Sequence, residues 1–213
     1  MSSKTLRAPS RDASPDSRHQ ILTAAATLFA QQGFNGTSFG AVAASCGQSK
    51  ALVQYHFPSK DALWQATLRF IVAEREQMLP QYLDPVFLNQ LDEQAQNQMI
   101  RNLCRQLIVF TTRHPEWIRI LYQEATCPGP RLDWMIEEFL QQDLHNGKAM
   151  IELAQARGLL PRVDPLDLLH ILSGAVFHIV NIAPIILRAQ GIDPTSEPYI
   201  DRYVDSFIAM LKL

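Results

Sequence analysis

At 213 residues, with 47% hydrophobic and 19% charged content, the chain can bury a sizeable core, which excludes a wholly disordered or low-complexity protein. Its net charge of −2 excludes a uniformly basic polyanion binder, but residues 1–60 carry six Lys or Arg against two Asp, a balance of +4 that leaves −6 for the remainder. A basic head on an acidic body fits a protein that touches a polyanion at one end.

The N-terminus, MSSKTLRAPSRDASPD, is small, polar and proline-bearing, lacks the apolar run of a signal peptide, and reads as a disordered basic arm over residues 1–16. Ser17-Arg18-His19-Gln20 fits a capping box opening a first helix, on which Ile21, Ala25, Leu28 and Phe29 share one face until Gly33. Asn35-Gly36 is a turn, Thr37 or Ser38 can cap a second helix lined by Phe39, Val42, Ala43 and Cys46, and Gly47 ends it. Gly40 inside that helix costs about 1 kcal/mol of helix propensity. A third helix from Ser49 to His56 packs Leu52, Val53 and Phe57 and leaves Lys50, Ala51, Gln54 and Tyr55 outside, until Phe57-Pro58 breaks it. Two short helices across a tight glycine turn form a helix-turn-helix, which lays its second helix in the DNA major groove.

Ser59 caps a fourth helix that runs through Leu63, Ala66, Leu68, Phe70 and Ile71 to a stop at Pro80. The pattern stays helical beyond Asp84-Pro85: Met99, Leu103, Leu107 and Phe110 form a stripe up to His114-Pro115, and Trp117, Leu121 and Ala125 mark a short helix closed at Pro128-Gly129-Pro130. A long helix follows from Leu132 to Ala154, with a bend expected near Asn146-Gly147. Asp164-Pro165 is a cap followed by proline at the first helical position, opening a helix that reaches Gln190-Gly191. Its apolar stretch Ala175–Leu187 falls short of the ~20 residues of a membrane span and includes His178, Asn181 and Pro184, so it reads as a buried helix of a soluble protein. The last helix starts between Pro194 and Pro198. Tyr199, Tyr203 and Phe207 lie beside a second stripe of Ile200, Val204, Ile208 and Leu211, an apolar width that calls for a second subunit. The expected fold is all-α with about nine helices.

Cys46, Cys104 and Cys127 are scattered, and no cysteine or histidine spacing suits a metal; His170 and His178 stand eight residues apart without companions. No cofactor, metal or enzymatic motif is expected, and the setting reads as reducing and cytoplasmic.

Residues 17–63 resemble the DNA-binding module of the TetR-type transcriptional regulators. The resemblance rests on the AA…LF…GF run of the first helix, Thr37-Ser38, Val42-Ala43, Gly47, Ser49-Lys50, Tyr55-His56-Phe57 and Pro58-Ser59-Lys60 before Ala62-Leu63. It implies a three-helix helix-turn-helix module at residues 17–60 joined to a helical ligand-binding and dimerisation domain at 61–213. It also implies phosphate contacts from Thr37, Tyr55 and Lys60, and a groove-facing set of Gln48, Ser49, Lys50, Ala51 and Gln54, with His56 beside them. Lys50 can reach guanine acceptors and Gln54 can pair with adenine, each worth about 1–3 kcal/mol of discrimination. Relatives often carry an apolar residue, a glycine and a tyrosine where Gln48, Ala51 and Gln54 stand, so the base-reading surface is individual.

The resemblance further implies a homodimeric regulator, a repressor released from a palindromic double-stranded operator by a small-molecule effector. Phe110, Trp117, Tyr122, Trp134, Phe177, His178 and Asn181 are the candidate pocket residues, an apolar set with a few orienting polar groups. Small residues at Ser173-Gly174-Ala175 and the apolar width of the last helix place the dimer contact on the last two helices. The alternative is a DNA-binding regulator whose C-terminal domain binds a protein partner with no small-molecule switch.

Overall fold

The computed structural model describes residues 15–78 and 92–211, and among these it contains nine helical rods and no strand. The disordered arm expected for residues 1–16 lies outside the described residues except for Pro15 and Asp16, which open the first helix. The stop expected at Pro80 and the turn at Asp84-Pro85 also lie outside them. Contacts divide the chain into two compact units, one ending at Ile71 and the other beginning at Val72.

The first unit holds α1 (Pro15–Gly36), α2 (Phe39–Cys46), α3 (Lys50–His56) and the start of α4 (Lys60–Met78). Because α1 begins at Pro15, Ser17 lies inside the helix and is buried, so the expected capping box does not form; Gln20 donates instead to Asp16 at 3.1 Å. Gly33 interrupts α1 at φ 70°, a left-handed value that glycine adopts without steric cost. The unit's core is Ile21, Leu22, Ala25 and Phe29 of α1, Val42 of α2, Val53 of α3 with Phe57 just beyond it, and Leu63, Trp64 and Leu68 of α4. Burying each of the larger side chains contributes about 1.5–3 kcal/mol, so the three short helices are held by shared packing more than by their own propensity.

The second unit holds α5 (Glu93–Arg113), α6 (Pro115–Thr126), α7, α8 (Pro165–Gln190) and α9 (Glu197–Leu211). In α7, an α-helical turn (Pro130–Met135) passes through a π-helical turn (Ile136–Leu140) into a longer α-helix (Gln141–Ala156). The irregularity therefore sits at Ile136–Leu140 and not at Asn146-Gly147, where the helix continues. Gly147 serves close packing: a Cβ there would come within 2.9 Å of Leu169 on α8. Proline stands at the first turn of α6, α7 and α8, and Asp164 caps α8 by accepting from Leu166 and Asp167 at 2.9 and 3.1 Å.

Helix α9 packs along α5, where Ile200 and Val204 join Ile108, Val109 and Val176 in one cluster, with Tyr203 and Ile208 against it. An ion-pair ladder runs beside this seam: Arg105 pairs with Glu197 and, at 2.8 Å, with Asp201; Arg101 pairs with Asp205, and Arg113 with Glu197 at 2.9 Å. The apolar width of α9 is thus largely absorbed within the chain. Helix α8 shows the opposite. At 26 residues, with an 18-residue window of mean hydropathy 1.8, it is long and apolar enough to cross a membrane by length and composition, yet 17% of that window is buried. The expectation of a buried helix is corrected: one side of α8 faces outward with Ile171 at 62% and Ile185 at 65% exposure.

Candidate nucleic-acid interface and interior pocket

The helix-turn-helix is fixed by three local devices. Ser38 caps α2 by accepting from Ala41 at 3.1 Å, and Ser49 caps α3 by accepting from Leu52 at 3.1 Å. Between them Gly47 adopts φ 67°, and Gln48 donates its backbone N–H to Ala43 at 2.9 Å, the double closure that ends a helix in a left-handed residue. Val53 and Phe57 then face the core, while Ser49, Lys50, Ala51, Gln54 and Tyr55 stay exposed, Tyr55 at 76%. The spacing from Lys50 to Gln54, one helical turn, puts a cationic donor and an amide on one face of α3.

Four other sequence-predicted residues belong to the scaffold. Thr37 is 2% exposed and donates its hydroxyl to the Gly33 carbonyl at 2.9 Å, so its side chain cannot reach a phosphate as expected. Lys60 turns back toward the end of α1, donating to the carbonyls of Phe34 at 2.8 Å and Thr37 at 3.1 Å with its ammonium 4.4 Å from the Phe34 ring centroid. Backbone carbonyls at the α1–α2 junction thus hold its ammonium where a phosphate contact was expected. Gln48 donates to Gln20 at 2.9 Å, tying the turn to α1, and half-buried His56 lies 3.5 Å from the Ser17 hydroxyl through Nε2, with the rings of Tyr55 and Phe57 on either side.

The second unit contains a pocket of about 440 Å³. Of the expected lining residues it receives Trp117 and Phe177. Phe110 is buried and stacked 4.8 Å from the His114 ring, Trp134 packs edge-on to Phe139 at 5.4 Å, and Tyr122 is exposed. His178 and Asn181 point outward on α8, because both fall on its exposed side; the expectation that they face the interior is corrected. The polar groups that do reach the pocket are Arg75, Glu76, Asp143, Asn146, His170 and Ser173. Arg75 and Asp143 form a bidentate pair at 2.6 and 2.9 Å. No local pattern announces it, since the partners lie 68 residues apart. The π-helical turn of α7 supplies Leu140 to the lining and Phe139 to the Trp117 ring, which it meets edge-on at 6.0 Å. Cys104, on the wall of an adjoining apolar space, has its thiol pushed up from 9.0 to about 11 by burial, so it is a neutral packing group.

A capped helix pair with an outward second helix, packed on the apolar face of α1, defines a helix-turn-helix module. Residues 21–67 match the family model described as bacterial regulatory proteins, tetR family, so the first unit carries a TetR-type DNA-binding head. The HTH-type transcriptional regulator RutR of Escherichia coli (strain K12) is 27% identical over 186 residues, covering 87% of this chain and 84% of its own. The regulator UidR of the same strain is 36% identical over 69 residues, 32% of this chain and 34% of its own. The fold is also that of AibR, solved with isovaleryl coenzyme A and operator DNA, at a TM-score of 0.67 and 23% identity over 91% of this chain and 97% of that one. A TetR/AcrR-family regulator from Thermobifida fusca YX-ER1 aligns at a TM-score of 0.57 and 20% identity over 92% and 97% of the two chains.

Proposed function

We propose that the protein is a cytoplasmic homodimeric repressor that occupies a nearly palindromic operator with two copies of α3 and is released by a small molecule bound in the second unit. The observation that carries the DNA half is the exposure of Lys50, Ala51, Gln54 and Tyr55 on one side of α3 while Val53 and Phe57 anchor the other. Lys50 and Gln54 read base edges, Tyr55 and Ser49 reach the flanking backbone, and Thr37, Gln48, His56 and Lys60 hold the helices in place.

The dimer forms through the last two helices, chiefly α8. Its outward residues Ile171, Gly174, His178, Asn181 and Ile185 alternate at intervals of three and four, the spacing of a helix–helix seam, with glycine permitting close approach. A two-fold axis there pairs like with like and sets two recognition helices on symmetric half-sites.

The effector acts through α4, which bears Lys60 at its start and the pocket residue Arg75 near its end. It weakens operator binding only by the difference in its affinity for the two conformations. AibR, captured with both a coenzyme A ester and operator DNA, is consistent with this two-ligand logic. The pocket of about 440 Å³ favours a small molecule over a purely protein-binding body. The test is operator binding by the purified protein with and without fractionated metabolites. Release by one fraction supports the switch, and release by none refutes it.

A further inference from the structure

We infer that the effector is an amphipathic organic cation whose charged head competes with Arg75 for Asp143, an inference that rests on the small-molecule reading above. Its first support is shape. The pocket of about 440 Å³ adjoins a second space of about 250 Å³ between α5, α7, α8 and α9, and the two share Leu103, Leu107, Met150, Leu169, Ser173 and Phe177 as walls. The charged and most of the polar lining belongs to the first. The second is bounded mainly by aliphatic side chains, with Cys104 and Thr111 as small additions. A ligand that fills both is apolar at one end and polar at the other.

Charge fixes the sign of the head. The first space is lined by one cation, Arg75, and two carboxylates, Asp143 and Glu76; His170 is the remaining titratable group there. Arg75 is committed to Asp143 by both of its terminal nitrogens, so the surplus is negative. An anionic head would meet that surplus, and to gain Arg75 it would have to exchange one carboxylate for another and leave Asp143 unpaired. A cationic head finds two acceptors. It also finds the Trp117 ring, which already has a cation near it: the Arg75 guanidinium carbon lies 6.0 Å from the ring centroid.

The competition supplies a route out of the pocket. Two like charges contend for one carboxylate, so the ligand binds more tightly when Arg75 has left Asp143. By linkage it loosens the tie between α4 and α7 by the same factor.

The test uses the full-length protein and three probes with one tail, octylammonium, octanol and octanoate, read by tryptophan fluorescence and calorimetry at neutral pH. The cation is expected to bind about tenfold or more tighter than octanol, and octanoate more weakly than octanol. Asp143→Asn combined with Glu76→Gln is expected to erase the cation's advantage, with circular dichroism establishing that the variant folds. Should that variant not fold, Glu76→Gln alone, at an exposed position, carries the test by lowering cation affinity about threefold. Octanoate binding tighter than octanol, a cation advantage that survives the substitutions, or no binding by any probe overturns the inference. Operator binding without probe is measured in parallel. A protein that binds its operator but shows no cation preference refutes this inference alone, and one that binds no operator refutes the reading beneath it.

Discussion

Lys60, at the start of α4, places its ammonium 2.8 Å from the Phe34 carbonyl and 4.4 Å from the Phe34 ring centroid, so one side chain closes the end of α1. Replacing it with methionine keeps most of the aliphatic stem and removes the charge. The expected result is a loss of about 1–2 kcal/mol in urea unfolding, with the slope of log affinity against log salt for operator DNA unchanged. A slope reduced by about 0.9 would assign Lys60 to a phosphate instead.

Lys50→Ala and Gln54→Ala act on the opposite side of the head. Both residues are exposed, so stability should hold within about 0.5 kcal/mol. Discrimination at one base pair each should fall by about 1–3 kcal/mol, read by anisotropy titrations against single-substitution operators.

Gly40→Ala should stabilise the head by about 0.5–1 kcal/mol in urea unfolding. The position is exposed within α2, and an added Cβ would find its nearest neighbour, the Ser38 hydroxyl, at 3.8 Å.

Much of this architecture could be read from residue spacing. The serine caps at Ser38, Ser49 and Ser59, the left-handed glycine at Gly47 and the proline-led starts of α6 and α8 are local signals, and each specifies an element by its own chemistry. Side-chain direction on α3 followed from the burial of Val53 and Phe57. Lys60 was less legible because its partners at Phe34 and Thr37 lie on a segment brought close only by folding. The pocket was least legible. Helical spacing shows which residues share a side but not which neighbour covers it, so His178 and Asn181 could be grouped together yet assigned to the wrong side of α8. Arg75 and Asp143 meet only through tertiary packing.

The outward side of α8 predicts an oligomeric switch. Ile171→Asp with Ile185→Asp places charges at sites exposed in the single chain, so the protomer should keep its fold. The dimer should weaken by about 100-fold or more in sedimentation equilibrium, and operator affinity should fall with it. A dimer of unchanged strength would place the contact elsewhere.

Cys104 predicts an alkaline limit. Burial pushes its thiol up from an ordinary 9.0 to about 11 in the folded chain, so the folded state holds a proton that the unfolded chain releases. The stabilisation is fully present below pH 9 and is lost as the pH rises toward 11, a span worth about 2–3 kcal/mol. Cys104→Ala should start less stable and show a shallower decline over that range. In a thiol-reagent assay at pH 8, exposed Cys127 should react promptly and Cys104 only on unfolding.

The most direct measurement is an anisotropy titration of the purified protein against DNA flanking its own gene and against shuffled DNA of equal length, at several salt concentrations. One dimer should bind per site, with an affinity for the flanking DNA about 10³-fold or more above that for the shuffled sequence and a negative salt slope for both. Equal affinity for the two DNAs, or binding by single protomers, would contradict the proposed function.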